Sequence, residues 1–155
     1  MIDRYDSNDQ YEGSIYVYYD EKGRPYSVSY PDTSYSYDYL ANGLLSSIYG
    51  NNNTIGLSYD TWNNLVQVRN NVENWLYTTN YYAYDAEGNL TNKVLTFTDY
   101  NDTYTLIHST YLYDANERLI GENDANGNPL WRYGYNAYSG KLAYATNMVS
   151  GIYCT

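Results

Sequence analysis

A short signature, Tyr-x-Tyr-Asp, recurs along this chain at intervals suited to a two-strand unit, and it constrains the fold more than any other feature. It is complete at Tyr35-Ser36-Tyr37-Asp38, Tyr82-Ala83-Tyr84-Asp85 and Tyr111-Leu112-Tyr113-Asp114. Variants are Val17-Tyr18-Tyr19-Asp20 and Leu57-Ser58-Tyr59-Asp60, and Tyr133-Gly134-Tyr135-Asn136 exchanges the acid for its amide. Arg4-Tyr5-Asp6 reads as a truncated first copy. The signature ends at positions 20, 38, 60, 85, 114 and 136, so the steps are 18, 22, 25, 29 and 22 residues. Two tyrosines separated by one residue project from the same face of a strand, because side chains alternate with period 2. The acid that follows accepts hydrogen bonds from backbone N–H groups two residues on, which starts a turn.

Glycines fall in phase with those acids. In Asp85-Ala86-Glu87-Gly88 the glycine supplies the positive φ that reverses the chain, and Leu90 begins the return strand. Asp20 to Gly23 keeps this spacing, and Asp60 to Asn63 uses the residue next most tolerant of positive φ. Asp38 reaches Gly43 two positions late, and Asn136 reaches Gly140 one position late. Asp114-Ala115-Asn116-Glu117 has no glycine, and Asn116 is the expected strained position. The linkers Tyr30 to Thr33, Gly50 to Asn53, Tyr100 to Thr103 and Asp124 to Pro129, the last containing Gly127, are themselves turn-like. The expectation is an all-β antiparallel meander of repeated hairpins, with six to seven repeats in one domain over residues 1–155 and roughly a dozen strands. Such a sheet curves or spirals and stays open at its ends. The segment from Asn70 to Asn80, with Val72, Trp75 and Leu76, has room for a helical turn, but its β context favours strand.

Composition decides what holds such a sheet together. Leu, Ile, Val and Phe number only 28 of 155 residues, which together with a net charge of −10 resembles a disordered chain. The 25 Tyr and 3 Trp oppose that reading. A ring burying about 150–250 Å² at about 25 cal/mol per Å² contributes on the order of 4–6 kcal/mol. The expected core is therefore largely aromatic. The acidic balance argues against a nucleic-acid partner. Cys154 is the sole cysteine, so an intramolecular disulfide is excluded. No apolar run approaches the about 18 residues of a membrane span, and the start, Met1 to Asp6, lacks the blocks of a signal peptide. Asn52, Asn89 and Asn101 stand in N-x-T contexts and read as turn residues.

Two stretches, Tyr30-Pro31-Asp32-Thr33-Ser34-Tyr35-Ser36-Tyr37-Asp38 and Leu119 to Tyr135 with its Gly121, Asp124, Gly127 and Trp131, make the chain resemble the Tyr-Asp (YD) repeats of the RHS family. These repeats occur in bacterial polymorphic toxins, in shell components of insecticidal toxin complexes and in teneurins. The resemblance runs from about residue 4 to 145. It implies a long sheet of hairpins winding into a hollow shell, and a secreted or cell-surface location. The sequence has no Asp-Pro dipeptide, and so no Asp-Pro-x-Gly motif of the kind that closes such shells. Six or seven units are too few for a cocoon, and the expected form is an open curved sheet or a segment of a larger one. Open strand edges are templates for pairing, so self-association or contact with neighbouring repeats is the expected partnership.

Chemistry is thinly represented. His108 is the only histidine, and Leu106, His108 and Thr110 share one strand face, which reads as a surface or half-buried imidazole with no nucleophile beside it. Cys154 reads as inert, and Asp99 and Asp102 as turn residues. Asp124-Ala125-Asn126-Gly127-Asn128 has the oxygen spacing that opens a calcium loop, but its glycine comes at the fourth position and Tyr135 stands at the twelfth. An ordinary turn is expected there. No catalytic, cofactor or metal residue is assigned, and the chain reads as a non-catalytic wall, scaffold or fibre element of an exported assembly. The alternative is a carbohydrate- or cell-wall-binding module using exposed aromatics, for which a glycan would be the ligand.

Overall fold

In a computed structural model, described for residues 1–73 and 75–155, the chain forms β-strands joined by tight turns. They are β1 (Ile2–Tyr5), β2 (Tyr11–Tyr19), β3 (Pro25–Ser29), β4 (Ser34–Tyr39), β5 (Leu45–Tyr49), β6 (Thr54–Tyr59) and β7 (Leu65–Glu73). They continue as β8 (Leu76–Tyr84), β9 (Leu90–Asp99), β10 (Asp102–Tyr113), β11 (Leu119–Asn123), β12 (Pro129–Tyr135), β13 (Leu142–Asn147) and β14 (Tyr153–Cys154). The fourteen strands are ordered as in the chain, an antiparallel meander that does not close into a barrel. Between Asn70 and Asn80 the chain is strand to Glu73 and strand again from Leu76; Asn74 lies outside the described residues.

Two compact units divide the chain, 1–78 with 98–102, and 79–97 with 103–155. In the first, strand register sorts the side chains by face. Val17 lies opposite Val28, which lies opposite Tyr35, and Tyr37, Ile48 and Ile55 form the adjoining row. The reverse face carries Ser27 opposite Ser36, and the row Asp38, Ser47, Gly56, Arg69. In the second unit Tyr111, Glu122 and Trp131 make one cross-strand row, and Tyr133 lies opposite Ala145. The bend between two paired strands is a bulged one at most hairpins, with a register shift beside Tyr5, Tyr19, Tyr39, Tyr59, Tyr113 and Tyr135.

The expected aromatic core takes a different form. Among the described residues no hydrophobic side chain is fully buried; the buried ones are Thr79, Thr96, Thr98 and Ser109. A single layer of sheet has no second layer to cover either face, so rings are shielded only by their neighbours along and across the strands. Tyr35, Tyr37, Tyr82, Tyr84, Tyr111 and Tyr133 are accordingly half-buried. The side chains that sink deepest are short, as with Thr79, whose carbonyl accepts the Thr96 hydroxyl at 3.4 Å.

Candidate functional site: the aspartate turn and the tyrosine latch

The repeated site is a bend built around one carboxylate. Asp20 donates its N–H to the Arg24 carbonyl at 2.8 Å, and Gly23 donates to the Asp20 carbonyl at 3.0 Å. Gly23 has φ +76°, the left-handed conformation that completes a turn followed by a one-residue bulge. The Asp20 carboxylate then spans the bend: Oδ1 accepts the backbone N–H of Lys22 and of Arg24, both at 2.9 Å, and Oδ2 accepts Arg24 Nε at 2.8 Å. Asp60, Asp85 and Asp114 repeat this pattern with Asn64, Asn89 and Arg118 in the place of Arg24. Asp6 repeats its backbone part, Oδ1 accepting Asn8 and Gln10 N–H groups at 2.8 Å.

Fixing a carboxylate with several donors favours its charged form. Asp6, Asp20, Asp60, Asp85 and Asp114, together with Asp124 in the bend after β11, are held below the ordinary value of 3.8. For Asp6 and Asp20 the main cause is the backbone N–H of Gln10 or Arg24, and for Asp114 and Asp124 it is the side chain of Arg118 or Asn128. For Asp60 and Asp85 the largest influence is desolvation, which pushes upward and is outweighed by the combined bonds from Asn64 or Asn89 and their neighbours.

At four of the bends the tyrosine just before the bend reaches back to the preceding hairpin of the same unit. Tyr39 Oη donates to the Pro25 carbonyl at 2.7 Å and Tyr59 Oη to the Leu45 carbonyl at 2.8 Å. Tyr113 Oη donates to Leu90 and Tyr135 Oη to Leu119, both at 2.9 Å. In every case the acceptor is the residue that opens the return strand. Two arginines join bend and latch: Arg24 pairs with Asp20 at 2.7 Å and lies 4.3 Å over the Tyr39 ring, and Arg118 pairs with Asp114 at 2.6 Å and lies 4.6 Å over the Tyr135 ring.

Several expected positions are corrected. Asp38 does not open a bend: it lies in β4, exposed and opposite Ser47, and Leu40 takes the acid's place with Gly43 donating to its carbonyl at 2.9 Å. Tyr39, and not Tyr37, is therefore the latch of that hairpin. At the bend after β10 the left-handed residue is Glu117, with φ +60°, and not Asn116. Arg118, tied to Asp114 by backbone and side chain, holds that bend closed without a glycine. Asp124, read as a linker, makes a complete acid turn: its Oδ1 accepts Asn126 and Asn128 N–H groups, and Gly127 has φ +82°. Its carboxylate is thus engaged within the bend.

Asn136 and Gly140 close a loop one residue longer, in which Gly140 N–H donates to Asn136 O at 2.9 Å. The same loop recurs unforeseen at Asn147 to Gly151, and Asn136-x-x-Ser139-Gly140 against Asn147-x-x-Ser150-Gly151 was the signal for it. His108 is half-buried in β10, and Cys154 is exposed. Asp99 ends β9 and Asp102 begins β10, on either side of a tight turn. Among the described residues no group of three or more His, Cys, Asp or Glu is placed to hold a metal ion.

Residues 84–129, which contain the Asp85, Asp114 and Asp124 bends, match the RHS Repeat family model. No curated protein matches the chain. Among solved structures the chain is similar to part of the Photorhabdus luminescens Tc holotoxin pore, at 15% identity and a TM-score of 0.49, covering 94% of this chain and 11% of that one. It is also similar to part of the TcdB2-TccC3-TEV crystal structure, at 14% identity and a TM-score of 0.40, covering 90% of this chain and 11% of that one. The chain spans about a tenth of the length of each. The matched segment is built from the acid bend and return strand that also occur before it at Asp20 and Asp60, and residues 84–129 carry the RHS repeat.

Proposed function

We propose that the chain is a non-catalytic structural element, a wall, scaffold or self-associating fibre segment of an exported bacterial RHS-type assembly, organised as one repeat domain over residues 1–155. The latch carries this reading. Each phenol at Tyr39, Tyr59, Tyr113 and Tyr135 is committed to holding one hairpin against the previous one. The turn carboxylates are engaged by backbone donors and therefore serve the bend instead of a substrate. The signature residues from Tyr19 to Gly140 are in this view structural, and neighbouring repeats, in the same polypeptide or in another copy, are the natural partners of the outermost strands. Secretion or cell-surface display accords with the family.

Sedimentation of the purified chain over a wide concentration range, with electron microscopy of the same samples, tests it. Concentration-dependent oligomers or filaments are expected. A monomer at the highest concentration, with no ordered particle in the micrographs, overturns the assembly reading.

A second reading has its own support. Trp62, on the Asp60 bend, is 81% exposed, and Tyr138, on the Asn136 loop, is fully exposed. Rings presented this way suit stacking on a sugar. Polysaccharide pull-down that is lost in Trp62→Ala favours glycan binding.

A further inference from the structure

The second unit holds an acid and rings on one sheet face, the group types of the bend triads without their cation. Glu122 in β11 lies directly between Tyr111 of β10 and Trp131 of β12, on the same face. Trp131 and Tyr133, two residues apart on one strand, stand nearly parallel, with centroids 6.3 Å apart and planes within 8°. All four side chains are half-buried, so each keeps an open side. None of the ion pairs among the described residues includes Glu122. The two arginines that flank Glu122 in sequence are engaged elsewhere: Arg118 pairs with Asp114 at 2.6 Å, and Arg132 donates to the Glu122 and Trp131 carbonyls at 3.1 and 2.7 Å and to Asn123 Oδ1 at 2.7 Å.

We propose that Glu122, Trp131 and Tyr133 form a receptor slot for an arginine side chain carried by a partner polypeptide. The chain itself shows the chemistry twice, at Asp20, Arg24 and Tyr39 and at Asp114, Arg118 and Tyr135, where one guanidinium pairs with a carboxylate and covers a ring. At Glu122 the carboxylate and the rings are present and the guanidinium is the missing member. A guanidinium carbon seated midway over the mouth of the slot lies within about 6 Å of both centroids, the reach of a cation–π contact. Its fork faces the carboxylate for a two-point bond, a geometry that an ammonium does not reproduce. The net charge of −10 draws a basic segment toward the sheet. This assignment stands apart from the assembly reading above and does not depend on it.

The test is calorimetric titration of the full chain with three extended synthetic peptides that alternate threonine with arginine, with lysine or with citrulline. The arginine peptide is expected to bind about tenfold more tightly than the other two. Glu122→Gln should remove most of that preference, whereas Glu87→Gln, the same charge change at an exposed turn position, should leave it in place. Thermal melting of both variants establishes that they fold, and Trp131→Leu supplies a second, charge-neutral disruption. Equal affinity for arginine and lysine peptides, equal losses in Glu122→Gln and Glu87→Gln, or no binding at millimolar arginine peptide each overturns the proposal.

Discussion

The β2–β3 and β4–β5 hairpins make the same bend from different chemistry. Both close with a backbone pair, Asp20 N–H to Arg24 O and Leu40 N–H to Leu44 O, each at 2.8 Å, and both place a glycine in the left-handed region, Gly23 at +76° and Gly43 at +92°. Only the first has a carboxylate spanning the turn and an arginine tied to it. The second has Asn42 Oδ1 accepting Leu44 N–H at 3.2 Å. The backbone and the glycine therefore suffice for the reversal, and the acid adds a clasp whose strength depends on its charge. The latch joins the two hairpins, since Tyr39 at the second bend bonds to Pro25 at the first.

The comparison can be broken most forcefully at the latch. Tyr39→Ala removes a half-buried ring together with its phenol and should destabilise the fold by about 3 kcal/mol. Tyr39→Phe, which removes only the hydrogen bond, should lose about 1 kcal/mol in chemical denaturation. Equal losses would mean that the hydroxyl and not the ring holds the hairpins together.

Gly23→Ala should cost about 1 kcal/mol, because an added Cβ there meets nothing within 4 Å and the loss is purely one of backbone conformation. Glu117→Gly at the corresponding position of the β10–β11 bend should gain a similar amount. A stabilising Gly23→Ala, read from the denaturation midpoint, would contradict the left-handed assignment.

Exchanging the clasp comes next. Asp20→Leu should lower the melting temperature at pH 7 and Leu40→Asp should raise it, each by a smaller margin than the latch variants. The folded-state pKa of Asp20 is depressed, so its contribution is present above the unfolded value of 3.8 and is lost as pH falls through the folded value. The difference between wild type and Asp20→Leu should therefore vanish in acid well below pH 3.8, and one that persists there would assign the effect to packing. At the other extreme, desolvation raises the phenols of Tyr37, Tyr111, Tyr113 and Tyr133 above 10.0. Stability that depends on their neutral form is full below pH 10.0 and is lost as pH rises through their folded values.

Arg24→Lys is the smallest change. It keeps the charge but loses the planar stack on Tyr39, for an expected cost of about 0.5 kcal/mol. A neutral result would reduce Arg24 to a simple counter-ion of Asp20.

The hairpin meander was legible because Tyr-x-Tyr and the acid after it encode strand face and bend in one short stretch. The bend at Leu40 was not, because Tyr35, Tyr37 and Tyr39 all occupy one face and Asp38 offers a signature two residues too early. Counting back three residues from Gly43, the spacing seen at Asp20 and Asp85, would have found it. Glu117 was missed because tolerance of positive φ ranks asparagine above glutamate, whereas the clasp to Arg118 fixes the position in the loop and so overrides that preference. The latch was invisible for a different reason. It joins residues 14 to 23 positions apart whose meeting depends on which strands are neighbours, and no local pattern records that. The likeness of Glu122 and its rings to the bend triads likewise appears only once β10, β11 and β12 are aligned.

Because the phenols of Tyr39, Tyr59, Tyr113 and Tyr135 each grip the hairpin made before, these hairpins are fastened in one direction, like overlapping roof tiles. Tension applied along the polypeptide should then undo a unit in discrete events, each releasing one hairpin as its tyrosine lets go of the carbonyl behind it. During synthesis the same order means that each newly emerged hairpin with a latch secures its predecessor.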